Sequence, residues 1–169
     1  LHASGGTEML RALQTALGTN AAEQNRVRYL ILVTDALVGN DDSILGYLKR
    51  PEFADVRVFP VAMGAAPNQH LISRAAELSR GFAMQVTNED NATEIAKRFN
   101  AKLAVPYMTD VEVDFGKLKV RDVLPQPLPD LYAGQPLVIM GRYDEPGTAE
   151  IAVRGNIQGQ AIQSTLKLE

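Results

Sequence analysis

Two oxygen donors sit where chemistry could use them. Asp35 closes the apolar run YLILVT at Tyr29–Thr34, and Thr7 follows the pair Gly5-Gly6 at the head of an apolar-periodic segment. Ligands of open α/β sheets gather at the carboxyl ends of strands. A carboxylate there can coordinate a metal, accept a phosphoryl group or hold a ribose, and it can equally cap the next loop. Thr7 is open in the same way, because threonine is a good helix N-cap and Glu8 suits a first turn. A glycine-rich turn also suits a nucleotide, but GGT has neither the GxGxxG spacing nor the lysine of a phosphate loop.

The remaining polar groupings have plainer readings. Asn40-Asp41-Asp42 could be a cluster of oxygen ligands, and it also reads as a helix start. His70 and Ser73 stand about one turn apart on an amphipathic helix with no orienting acid, and read as surface. Asp110, Glu112 and Asp114 alternate along one strand face, a solvated row that discourages edge pairing.

The elements that must position these residues follow from periodicity. Met9, Leu10, Leu13 and Leu17 give helical spacing, with Gly18 placed to stop the helix. YLILVT predicts a parallel strand buried on both faces. A helix then carries Ile44, Leu45 and Leu48. VRVFPVA at 56–62 reads as a second strand, with Pro60 marking a bend or a local edge. Pro67-Asn68 open a helix with Leu71, Ile72, Ala75 and Leu78, and FAMQVT is a third strand. Asn91 and Glu94 form a capping box ahead of Ile95, Phe99 and Leu103. Alternating strands and helices imply a parallel sheet with flanking helices.

After residue 104 the grammar changes to strand alternation, and six of the nine prolines lie in 105–169. Val111, Val113 and Phe115, then Leu118 and Val120 across Gly116-Lys117, read as a hairpin. PLVIMGRY, TAEIAVRG and AIQSTLKL continue as strands. The expected organisation is an α/β domain over 1–104 and an antiparallel β-sandwich-like domain over 105–169.

Composition narrows the function classes. The 169 residues carry a net charge of −3 with no basic cluster, which argues against a nucleic-acid partner. Cysteine is absent, so thiol nucleophiles, disulfides and thiolate zinc sites are excluded. No apolar run approaches the ~20 residues that cross a bilayer. The chain begins at Leu1 without an initiator methionine, and reads as a piece of a longer protein.

GGTEMLRAL followed by ILVTDALVGN resembles the second and third metal loops of a von Willebrand factor type A domain. LPQPLPDLYAGQPLVIMGRY at Leu124–Tyr143 resembles the segment behind that domain in proteins of the inter-alpha-trypsin inhibitor heavy chain type. Bacterial surface proteins of this VIT/vWA kind, including sortase-anchored ones, look most similar. The resemblance covers nearly the whole chain. It implies a partial Rossmann-like type A sheet followed by the β domain.

The resemblance also implies a metal-ion-dependent adhesion site (MIDAS). In that family Mg²⁺ or Mn²⁺ is held by a DxSxS loop, a threonine and an aspartate. Thr7 matches the threonine and Asp35 the aspartate, while Gly5, Gly6, Ala36 and Asn40 shape the loops. A hard cation suits such oxygen donors and leaves one position for a partner's carboxylate. Ala36 stands where the family usually has glycine, and the DxSxS loop is expected upstream of Leu1. With two ligand residues alone, this chain is expected to bind Mg²⁺ weakly or not at all.

Without the strand that carries DxSxS, the 29–34 strand is expected to have an unpaired apolar edge and to pair across copies as a homodimer. The implied function is a non-enzymatic adhesion module, on the cell surface or secreted, that binds an acidic group of a protein partner. One alternative is a structural domain with a vestigial site. Another is a phosphoryl-accepting or nucleotide-binding enzyme domain centred on Asp35, although the sequence offers no lysine at a strand end for it.

Overall fold

The computed structural model describes residues 8–18, 27–35, 39–104, 108–134 and 136–168. The chain divides into two compact units, Leu1–Glu89 and Asp90–Glu169. The division precedes the helix after which the sequence grammar changes.

The first unit contains α1 (Met9–Gly18), β1 (Arg28–Thr34), α2 (Asp41–Leu48), β2 (Val56–Met63), α3 (Gln69–Leu78) and β3 (Met84–Val86). The strands form a parallel sheet in the order β1-β2-β3. Leu13 and Leu17 of α1, Ile44 and Leu48 of α2, and Leu71 of α3 form one buried cluster with Val56 and Val58 of β2. Leu30 and Leu32 of β1 pack against that cluster. Period-two alternation therefore sends the even residues of β1 into the core.

The odd residues of β1 depart from the expectation. Tyr29, Ile31 and Val33 are 45%, 51% and 58% exposed, so this strand is covered on one face and not on two. A continuous apolar run tells which residues want cover but not what supplies it. Among the described residues the three helices of this unit contribute to the even-face cluster. On the odd face Phe59 is buried, with its ring centroid 5.2 Å from Tyr29 and 4.9 Å from Phe82.

Pro60 lies in the central strand, level with Leu32 of β1. Strand β3 pairs only with Val61–Met63, so at residue 60 the ladder has a partner on the β1 side alone. Pro60 is thus tolerated as a local edge, as its lack of an N–H requires. Nearby, Ser79 takes the place of a strand partner. Its Oγ accepts the Val58 N–H at 3.0 Å and lies 2.7 Å from the Ala75 carbonyl oxygen. Gly81 closes the same edge: a Cβ there would stand 2.0 Å from the Val58 carbonyl oxygen, and only glycine allows that approach.

The second unit contains α4 (Ala92–Leu103), β4 (Thr109–Asp114), β5 (Val120–Leu124), β6 (Met140–Tyr143), β7 (Ala149–Ile157) and β8 (Gln160–Leu168). Asn91 caps α4 by accepting the N–H groups of Thr93 and Glu94. The strands are antiparallel, in one sheet of order β4-β7-β8 and another of β5-β6. Gly116-Lys117 does form a turn, with Leu118 N–H donating to the Phe115 carbonyl at 3.1 Å. Its flanking strands, however, go to different sheets, so the expected hairpin is a corner between sheets. The partners β7 and β6 lie further along the chain, and local alternation cannot name them.

Candidate functional site

Asp35 follows β1 at its carboxyl end and is exposed. Thr34 pairs with Ala62 of β2, so Met63 is level with Asp35. The neighbouring strand therefore brings a thioether to that height and not a hard oxygen donor. Thr7, Gly5, Gly6 and Ala36 lie outside the described residues.

Asn40 and Asp41 stand where α2 begins. Asn40 occupies the cap position without a side-chain capping bond, and its carbonyl accepts from Ser43 and Ile44 at 3.1 and 3.2 Å. Asp41 and Asp42 form the acidic first turn, which suits the positive end of the helix dipole. Asp41 Oδ2 accepts from Asn68 Nδ2 at 2.7 Å, while Asn68 Oδ1 accepts the Leu71 N–H at 3.1 Å and caps α3. The starts of α2 and α3 are thereby tied together at the carboxyl side of the sheet. Asp41 Oδ1 is buried without a hydrogen-bond partner. The Asp41–Asn68 link was not visible in the sequence, because 27 residues separate the two.

A hard divalent cation needs about six oxygen ligands. Among the described residues no three His, Asp or Glu side chains come together. The described residues alone therefore assemble no complete oxygen cage for such a cation. His70 and Ser73 are exposed on α3, as their helical spacing suggested.

The LPDLYAG segment, which carried the β-domain resemblance, has a packing role. Asp130 and Tyr132 are 3% and 2% exposed. Asp130 Oδ1 accepts the Asp110 N–H at 3.1 Å, beside the register shift between Thr109 and Glu112 of β4. Leu131 bridges to Met108 through two backbone hydrogen bonds. The exposed row Asp110, Glu112 and Asp114 is the solvated face expected of it, with Asp114 paired to Arg154 at 3.2 Å.

At the opposite end of the first unit, Arg28 makes a two-pronged ion pair with Asp55, at 2.8 and 3.2 Å. Its guanidinium also reaches the Leu17 carbonyl at 3.3 Å, joining the end of α1 to the starts of β1 and β2. The hydrogen bonds from Arg28 hold the Asp55 carboxyl below the usual aspartate range.

Over 99% of its length the chain superposes on a von Willebrand factor type A structure from Catenulispora acidiphila, with a TM-score of 0.58 and 18% identity. The chain has a type A fold. It covers 47% of that structure. It is also 24% identical over 135 residues to a von Willebrand factor A domain-containing protein of Dictyostelium discoideum, a match covering 80% of this chain and 16% of the relative. Inter-alpha-trypsin inhibitor heavy chain H2 of Sus scrofa is 23% identical over 158 residues, covering 83% and 16%. The chain therefore spans about a sixth of the length of these curated relatives. No protein-family model matches the sequence. The α/β part of the expected fold and the likeness to both groups of proteins hold.

Proposed function

We propose that this chain is part of a non-enzymatic, protein-binding type A module of a cell-surface or secreted protein. In the intact module a divalent cation, Mg²⁺ or Mn²⁺, would bridge Asp35 and Thr7 to an acidic group on the partner. The observation that supports this most is Asp35, an exposed carboxylate at the end of β1 in a chain that has the type A fold. Met63 of β2 is level with Asp35, so in this reading the further oxygen ligands would come from beyond the other edge of β1. The resemblance expects them on a DxSxS loop ahead of Leu1. The β unit would then serve as a spacer or docking platform.

Calorimetric titration tests the reading in two steps. Mg²⁺ or Mn²⁺ added to this chain alone is expected to give no saturable heat at millimolar concentration. A longer polypeptide that carries a DxSxS loop ahead of Leu1 is expected to bind Mn²⁺, and Asp35→Ala to abolish that binding with an unchanged melting curve. Micromolar binding by the chain alone would refute the divided ligand set. Mn²⁺ binding by the longer protein that survives Asp35→Ala would refute the role of Asp35, and its failure to bind Mn²⁺ at all would favour a vestigial site.

A further inference from the structure

We propose that Asn91 is an acceptor site for an N-linked oligosaccharide, recognised through Glu89 and Thr93 on either side of it. Eight asparagines occur in the chain, and only Asn91 has a serine or threonine two residues on. Asn91-Ala92-Thr93 is the N-x-T pattern of an acceptor, with no proline in the middle position. Glu89 extends the pattern. Bacterial oligosaccharyl transfer also selects an acidic side chain two residues ahead of the asparagine, a group suited to a basic pocket. The proposal rests on the cell-surface or secreted placement proposed for the module, because this chemistry acts on exported chains.

The fold leaves this pattern open to a transferase. Residues 87–94 are all exposed, and 87–91 lie outside helix and strand, between β3 and α4. The chain passes there from one compact unit to the other. Three polar groups in the stretch have no partner among the described residues: the Glu89 carboxylate, the Asn91 Nδ2 amide and the Thr93 hydroxyl. Their neighbours Thr87 and Asp90 do make polar interactions. The uncommitted side chains are thus the three that the transfer reads.

Asn91 divides its work between two atoms. Its Oδ1 caps α4, accepting the N–H of Thr93 at 2.9 Å and of Glu94 at 3.3 Å. Capping alone would be served as well by aspartate or serine, neither of which offers the nitrogen. That nitrogen, Nδ2, is the atom a glycan takes. In the transfer, Nδ2 attacks the anomeric carbon of a sugar held on a polyprenyl diphosphate. An N–C bond forms, the C–O bond to the diphosphate breaks, and the diphosphate leaves with the electron pair. A carboxylate of the transferase takes one Nδ2 proton. The product amide keeps its other N–H and its Oδ1, so the cap on α4 survives the modification. The attached sugar is bulky and soluble, and an exposed loop accommodates it.

The test exports this chain to the periplasm of bacteria that hold an oligosaccharyltransferase and its polyprenyl-diphosphate oligosaccharide. Mass spectrometry of the tryptic peptide Gly81–Lys97 is expected to show the added glycan, and a host without the transferase none. Asn91→Asp keeps the capping oxygen and removes the nitrogen, so it is expected to abolish the added mass with an unchanged melting curve. Glu89→Gln and Thr93→Val are expected to lower occupancy, also without changing the melt. An unmodified Gly81–Lys97 peptide from the folded, exported chain would overturn the proposal, and so would a glycan that persists in Asn91→Asp. Full occupancy in Glu89→Gln would overturn the role of Glu89. Export is imposed in this assay, so its outcome does not depend on where the protein's own cells place it. Protein recovered from those cells separates the two readings. An unmodified peptide on surface or secreted protein would overturn the acceptor site and leave the adhesion reading standing, whereas protein confined to the cytoplasm would overturn the placement.

Discussion

Replacing Ser79 by alanine tests how the open side of β2 is closed. Strand β3 is three residues long and leaves Val58 without a strand partner on that side. The Ser79 hydroxyl accepts the Val58 N–H at 3.0 Å and bonds back to the Ala75 carbonyl at 2.7 Å. The residue is 7% exposed, so water does not readily replace it. Ser79→Ala removes one net hydrogen bond, about 1 kcal/mol, and leaves a buried N–H unsatisfied at a further ~1–3 kcal/mol. The expected loss is about 2–4 kcal/mol, roughly 30- to 900-fold in the folding equilibrium. Urea unfolding followed by circular dichroism measures it, and native-state exchange of the Val58 amide localises it. Ser73→Ala, at an exposed position on the same helix, is the control and should stay within about 0.5 kcal/mol. A Ser79→Ala loss below about 0.5 kcal/mol, with Val58 still slow to exchange, would refute the claim that this hydroxyl stands in for a strand.

Gly81→Ala drives a Cβ against the Val58 carbonyl, a backbone atom that cannot step aside, and is expected to destabilise by about 2–3 kcal/mol or to prevent folding in a thermal melt. Gly46→Ala, on the exposed side of α2 with open space around it, should instead stabilise by about 0.5–1 kcal/mol. Asp55 has a lowered pKa, so its contribution is present above the unfolded value and lost as pH falls through the folded one. Unfolding measured from pH 7 to pH 2 should therefore show an acid loss of stability in the unmodified chain that Asp55→Asn lacks. Parallel pH profiles for the two would contradict the pair's role.

The elements legible in the sequence are those whose signal is local. Met9, Leu13 and Leu17 repeat at helical spacing and are buried, and Asn68 and Asn91 cap the helices they precede. What escaped depends on partners distant in the chain. YLILVT does not record whether both of its faces find cover, and Tyr29, Ile31 and Val33 do not among the described residues. Gly116-Lys117 makes the turn its residues favour, while the sheet each flanking strand joins is decided by β6 and β7. Asp130 looked like part of a family signature, and its bond to Asp110 N–H, 20 residues away, is long-range packing that no spacing rule encodes. At the candidate site the sequence placed Asp35 at a strand end correctly. The Asp41–Asn68 link is again a contact across a whole strand.

The asymmetry of β1 joins two features that the sequence presents separately. Its even residues feed the buried cluster, and its ladder on one side is taken by β2. What remains is the other edge together with the odd face, where Tyr29, Ile31 and Val33 stand exposed. Asp35 extends from the same strand, with Met63 on the β2 side. In the proposed module, additional oxygen ligands would reach Asp35 from the direction in which β1 has no strand partner among the described residues. A single strand laid along that edge could continue the ladder and end its loop beside Asp35. Completion of the sheet and completion of the cation site would then be one structural event, and metal affinity would depend on strand pairing as much as on the carboxylate itself.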